Sequence, residues 1–142
     1  MRKHMIAVAL ALGTTLTAGA IAADGTSREA YNTEKDKIEA TAKSNKKACD
    51  AMKDNARDIC QAEAKAKEKV AKAELDAKNK PGARADENVA LMKAEGAYEV
   101  AKEKCEDNKD TAATCKKDAR TAYDKAKADV RATSKTATDK KS

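Results

Sequence analysis

The chain has no tryptophan, no phenylalanine, one histidine, one proline and three tyrosines in 142 residues. With so little aromatic mass, a core built around packed rings is excluded. The single histidine is His4, so no Ser/His/Asp or Cys/His constellation can form beyond the first few residues. The runs of Val, Ile, Thr and aromatics that mark strands are missing, as is a phosphate-cradling glycine loop. Beyond residue 22 the large aliphatic side chains and methionines are Ile38, Met52, Ile59, Val70, Leu75, Val89, Leu91, Met92, Val100 and Val130. So few apolar groups cannot make a normal core, and alone they describe a disordered chain.

Two features oppose disorder. Alanine is abundant and is the best helix former, with Lys and Glu close behind. Four cysteines can also supply what the thin core lacks. These point to an all-α fold of Ala-rich helical hairpins, either an up-down bundle or an antiparallel coiled coil, stapled by two disulfides.

The N-terminus explains how cysteines could be oxidised. Arg2, Lys3 and His4 form a basic start, residues 5–16 are apolar, and small residues lead to Ala20-Ile21-Ala22. This reads as a secretory signal peptide over 1–22, cleaved between Ala22 and Ala23. The apolar stretch is too short for a convincing membrane span, so no transmembrane segment is expected after cleavage. The expected location is the periplasm, with secretion beyond it as the alternative. Of the 30 Lys and Arg, Arg2 and Lys3 leave with the signal peptide, so 28 remain against 24 Asp and Glu. That modest excess, without aromatic interleaving, does not suit nucleic-acid binding.

The rest divides into four helical stretches over 23–133, followed by a Thr/Ser/Lys-rich tail over 134–142 expected to be disordered. Thr26 and Glu29 fit a capping box for a helix running to about Met52. Its apolar line is Tyr31, Ile38, Ala42, Cys49 and Met52. Asn55 is a candidate cap for the second helix, whose stripe is Ile59, Ala62, Ala66, Val70, Ala73 and Ala77. That stripe is narrow and mostly alanine, so a partner helix must approach closely. Glu39/Lys43, Glu63/Lys67, Glu68/Lys72 and Glu74/Lys78 have the i,i+4 spacing of intrahelical ion pairs. Lys80-Pro81-Gly82 is the clearest turn. A third helix is predicted over 84–106 with Val89, Met92, Gly96 and Val100 on one side. After the polar break at 107–110, a fourth carries Cys115, Ala119, Ala122, Ala126 and Val130. Residues from Cys60 match those from Cys115 at a constant offset of 55, which predicts two copies of a helix–Cys–turn–Cys–helix unit.

Two disulfide pairings make physical sense. Cys49–Cys60 with Cys105–Cys115 would staple each hairpin beside its own turn, in a bundle roughly 35 Å long. Cys49–Cys115 with Cys60–Cys105 would instead make a rod roughly 75 Å long. That rod looks like the twin Cys-x9-Cys hairpins of mitochondrial intermembrane-space proteins, from whose spacing Cys49 and Cys60 depart. Local pairing is favoured because each repeat unit encloses its own pair. Zinc would want close Cys-x2–4-Cys pairs, and thiol redox chemistry a Cys-x-x-Cys motif. Neither spacing occurs, so no metal and no cofactor is expected.

Glu95, Glu99 and Glu103 form a carboxylate column at i,i+4, and Lys65, Lys69 and Lys72 a basic counterpart. The plain reading of both is solvated helix faces. The sharper reading is an interaction site, the acids for a divalent cation or a basic partner and the lysines for anionic lipid or lipopolysaccharide.

Cys49-Asp50, Asn55-Ala56-Arg57-Asp58, Cys60, Glu63-Ala64-Lys65 and Lys69-Val70-Ala71-Lys72-Ala73-Glu74 carry a family resemblance. The stretch resembles small secreted proteins of Burkholderia-like bacteria, often loosely labelled TolA-like envelope proteins. The resemblance implies a helical fold and an envelope location, and no activity. The expected function is a non-catalytic scaffold, spacer or stress-related adaptor whose partner is an envelope protein or the anionic envelope surface. The alternative is a small periplasmic binding module for divalent cations or anionic glycolipid. Oligomeric state is not readable from the sequence.

Overall fold

The computed structural model describes residues 27–139, so the signal peptide, its Ala22/Ala23 cleavage site and Thr26 lie outside it, as do residues 140–142. The described chain forms four helices: α1 (Arg28–Cys49), α2 (Asp54–Asn79), α3 (Ala83–Lys104) and α4 (Ala112–Asp139). A 3-10 turn (Cys105–Asp107) follows α3. Among the described residues there is no strand. The fold is all-α, and both disulfides are local: Cys49–Cys60 and Cys105–Cys115.

Several boundaries differ from the sequence reading for physical reasons. Ser27 caps α1, its Oγ accepting the Ala30 N–H at 3.2 Å. The helix stops at Cys49 because the Asp50 N–H is taken by the Lys47 and Ala48 carbonyls. Met52 therefore sits in the turn, 46 % exposed, rather than on the α1 stripe. Asn55 does not cap α2. Its Nδ2 reaches the second hairpin, donating to the Glu103 carbonyl at 2.8 Å and to Asp107 Oδ1 at 2.7 Å. Asp54 opens α2 in the left-handed region, φ 50°, a conformation Asp tolerates better than most residues. The fourth helix runs on through 134–139, where composition predicts a disordered tail. Ser134 Oγ donates to Glu87 Oε2 at 2.8 Å, and the Thr133 and Thr136 hydroxyls bond carbonyls one turn back. Those contacts give the polar segment helical partners.

The helices run up and down, each packing mainly on its neighbours in sequence: α1 on α2, α2 on α3, α3 on α4. No comparably extensive contact closes α4 back onto α1. The core is correspondingly thin. Ala42, Cys49, Ala64, Ala73, Leu75 and Cys105 are its buried apolar residues, and Leu75 is the one large aliphatic among them.

Small residues let the backbones approach instead. Gly96 of α3 is buried, and a Cβ there would lie 2.7 Å from Ala66 Cβ of α2. The close approach expected of an alanine stripe is thus present. Because α2 lies between α1 and α3, it needs two contact stripes. Helical periodicity marks one, which includes Ala66 and Ala73; Ala64 and Leu75 lie off it.

Of the four expected intrahelical pairs, Glu68–Lys72 forms at 2.9 Å. The other three acids pair across helices: Glu39 with Lys72 at 3.1 Å, Glu63 with Lys104 at 3.8 Å, and Glu74 with Lys93 at 2.9 Å. Closely packed helices bring a neighbouring lysine stem within reach, and interhelical geometry wins over i,i+4 spacing. Each exposed pair is worth only about 0.2–1 kcal/mol. Their value here lies in fixing register between helices that have little apolar contact to do so.

Candidate functional site

The lysines and carboxylates picked out in the sequence meet on one face. Lys43, Lys46 and Lys47 of α1, Lys65 and Lys69 of α2, and Glu99 and Glu103 of α3 line a groove of about 840 Å³. Helix α2 contributes the middle of this surface. Lysines dominate the α1 side, Asp50 and Asp58 lie at its turn end, and the α3 side is acidic. The carboxylate column and the lysine cluster are therefore neighbouring walls of one feature.

Their pairing sets what the groove can do. Lys69 Nζ donates to Glu95 Oε1 at 2.5 Å. That hydrogen bond, with further attraction from Glu95, Glu99 and Tyr123, raises the Lys69 pKa against the opposing effect of burial. Glu99 pairs with Lys102 at 2.7 Å and raises the Lys102 pKa in the same way. Glu103 offers its backbone carbonyl to Asn55. Lys72 departs from the expected cluster. It bonds Glu68 and Glu39 between α1 and α2, and these bonds raise its pKa. Lys43, Lys47 and Lys65 make no ion pair among the described residues, and they are the free cations of the groove.

Glu68 is the most enclosed carboxylate in these ion pairs, its side chain 18 % exposed. Lys46 donates to it at 2.7 Å and Lys72 at 2.9 Å. These two hydrogen bonds, Lys46 first, hold its carboxyl below the usual glutamate value. The shifts of Glu68, Lys69, Lys72 and Lys102 thus move each group away from neutrality: lysines up, glutamate down. General acid–base catalysis wants the reverse, a pKa near the working pH. Groups arranged this way hold their charges and attract ions of the opposite sign.

Two features escaped the sequence reading. The first is the α1 lysine wall, whose Lys43, Lys46 and Lys47 look like an ordinary solvated face until α1 is laid beside α2. The second is a ring stack between α3 and α4. Tyr98 and Tyr123 lie with centroids 5.0 Å apart and planes inclined by 14°. Lys102, Arg120 and Lys127 sit against their faces at 5.0–5.8 Å. The signal for it was available, since Tyr98 lies seven residues before Cys105 and Tyr123 eight after Cys115.

Among the described residues no three His, Cys, Asp or Glu side chains are grouped closely enough to hold a metal ion. No described helix is long and apolar enough to cross a membrane. Comparison with family models, with curated proteins and with solved structures finds no match.

Proposed function

We propose that the chain is a non-catalytic helical protein of the bacterial cell envelope, exported to the periplasm, acting as a scaffold or stress-related adaptor through its lateral surface. The observation that carries this reading is the charged groove, whose walls are fixed by the interhelical pairs Lys46–Glu68 and Lys69–Glu95 and which keeps Lys43, Lys47 and Lys65 outside any ion pair among the described residues. The two disulfides fit an oxidising compartment, and the basic–apolar–small pattern of residues 1–22 fits export to it. Local disulfides also bear on the choice between scaffold and spacer. The longest helix, α4, has 28 residues, about 42 Å, well short of the rod that crossed disulfides would give. A lateral docking role suits this shape better than spanning distance.

The test is site-specific photo-crosslinking in intact cells from positions 47, 65 and 103. The expected result is one reproducible envelope partner, its adduct from position 103 lost when Lys43, Lys47 and Lys65 are changed together to Gln. No adduct from any of the three positions would overturn the proposal. Fractionation in which the chain kept residues 1–22 and stayed in the cytoplasm would overturn the location.

The three unpaired lysines also favour a second reading, a binding module for anionic glycolipid. The divalent-cation form of that reading is weaker, because Lys69 and Lys102 already neutralise Glu95 and Glu99. Calorimetry with lipopolysaccharide and with magnesium separates the forms: lysine-dependent heat with the lipid supports the module, and no heat with either ends it.

A further inference from the structure

A second groove, sharing no residue with the charged one, lies where the Pro81-Gly82 turn meets α4. Its volume is about 1040 Å³. Pro81, Ala83, Ala90 and Val130 supply apolar surface, and Asp86, Glu87 and Asp129 supply carboxylates. No lysine or arginine lines it. None of the three acids makes an ion pair among the described residues. Glu87 accepts a hydrogen bond from Ser134, which leaves its charge in place. This is an inversion of the molecule's overall balance, since the full chain carries a formal charge of +6.

We propose that this groove binds a small amphipathic organic cation, an amine carrying a compact apolar body. The apolar surface removes the body from water, and the carboxylates around it hold the ammonium. A bare divalent ion fits poorly, because the acids are spread around the groove and form no ligand cluster. An anionic amphiphile would gain the same apolar contact and lose it to repulsion. The α3 N-terminus, which favours anions, is occupied by Asp86 in its first turn. The Gly82 carbonyl also takes the Ala85 and Asp86 N–H groups, at 2.8 and 3.0 Å.

The test uses three probes with one tail: octylamine, octanol and octanoate, titrated into the oxidised, signal-cleaved chain and followed by amide NMR. Octylamine is expected to shift residues in 81–90 and 129–134 and to saturate at one site. Octanol should bind more weakly, and octanoate should leave these residues unmoved. The double substitution D86N and E87Q should weaken octylamine about fivefold with an unchanged circular dichroism spectrum. If that variant does not fold, exposed Asp129→Asn asks the same question. Octanoate binding as well as octylamine would follow the net charge instead of the groove and would overturn the proposal. So would octylamine shifts spread over the molecule, or affinity indifferent to the carboxylates.

Discussion

The two hairpins close around equally spaced lysines and use them differently. Lys46 and Lys102 each lie three residues before a cysteine, Cys49 and Cys105. Lys72 and Lys127 each lie twelve residues after one, Cys60 and Cys115. In the first hairpin the lysines converge on a carboxylate, Glu68. In the second the residue at the position of Glu68 is Tyr123, which stacks on Tyr98, and the lysines lie against the rings. Where Tyr98 stands in α3, the first hairpin has buried Ala42. An ion-pair cluster and a cation-flanked ring stack therefore fill the same place. The lesson is that neither specifies the hairpin. What the hairpins share is a cysteine pair beside a polar turn.

The comparison can be broken most strongly at the cysteines. Removing Cys49 and Cys60, or Cys105 and Cys115, as alanine pairs should each cost roughly 3 kcal/mol in the chain-entropy model. The two losses should be nearly equal, because the bonds close loops of similar length, with separations of 11 and 10 residues. Thermal melts of the two variants check this. A loss confined to one pair would mean the hairpins are not equivalent units.

A smaller effect is expected at the seam between them. Gly96→Val places a branched side chain where a Cβ alone would stand 2.7 Å from Ala66 Cβ. The expected cost is about 1–3 kcal/mol by denaturant unfolding, with helix content kept and amide protection lost along α2 and α3. Full stability would show that the seam has room to spare.

Next come the two fillings. Tyr123→Ala should cost about 1–2 kcal/mol, less than for a fully buried ring because Tyr123 is only half-buried. Glu68→Gln should cost roughly 0.5–1 kcal/mol, and that difference should shrink in high salt while the Tyr123 effect persists. A Tyr123 effect that also vanished in salt would mean its flanking cations matter more than its stacking.

The smallest expected effect is with pH. Glu68 has its carboxyl below the ordinary value of 4.5, by hydrogen bonds from Lys46 and then Lys72. A group depressed on folding contributes stability that is complete above its unfolded value and fades as pH falls through its folded one. Hydrogen exchange across acid pH should therefore show the Glu68 contribution to α1 and the middle of α2 disappearing below 4.5, and the Glu68→Gln variant should lack that step. A wild-type profile identical to that of the variant would contradict the role given to Glu68.

Much of this architecture is legible in the residues. Alanine and lysine composition give helices, Lys80-Pro81-Gly82 gives the central turn, and the cysteine spacing narrows the pairings to two. The charged site was half legible. Lys65, Lys69, Glu99 and Glu103 were visible as clusters, but their convergence depends on α1 and α3 lying on either side of α2, and helical periodicity carries no information on neighbours. The same gap explains Asn55, a plausible cap by local chemistry that is drawn instead to Glu103 and Asp107. It also explains Glu39, Glu63 and Glu74, whose partners lie on other helices. Local rules fail where a packed neighbour offers a better partner.

The central claim is that each hairpin is closed by its own disulfide, and peptide mapping of the unreduced protein tests it directly. Tryptic fragments joining Cys49 to Cys60 and Cys105 to Cys115 are the predicted result. Fragments joining Cys49 to Cys115 and Cys60 to Cys105 would contradict it, replacing two stapled hairpins with one long rod and dispersing both grooves.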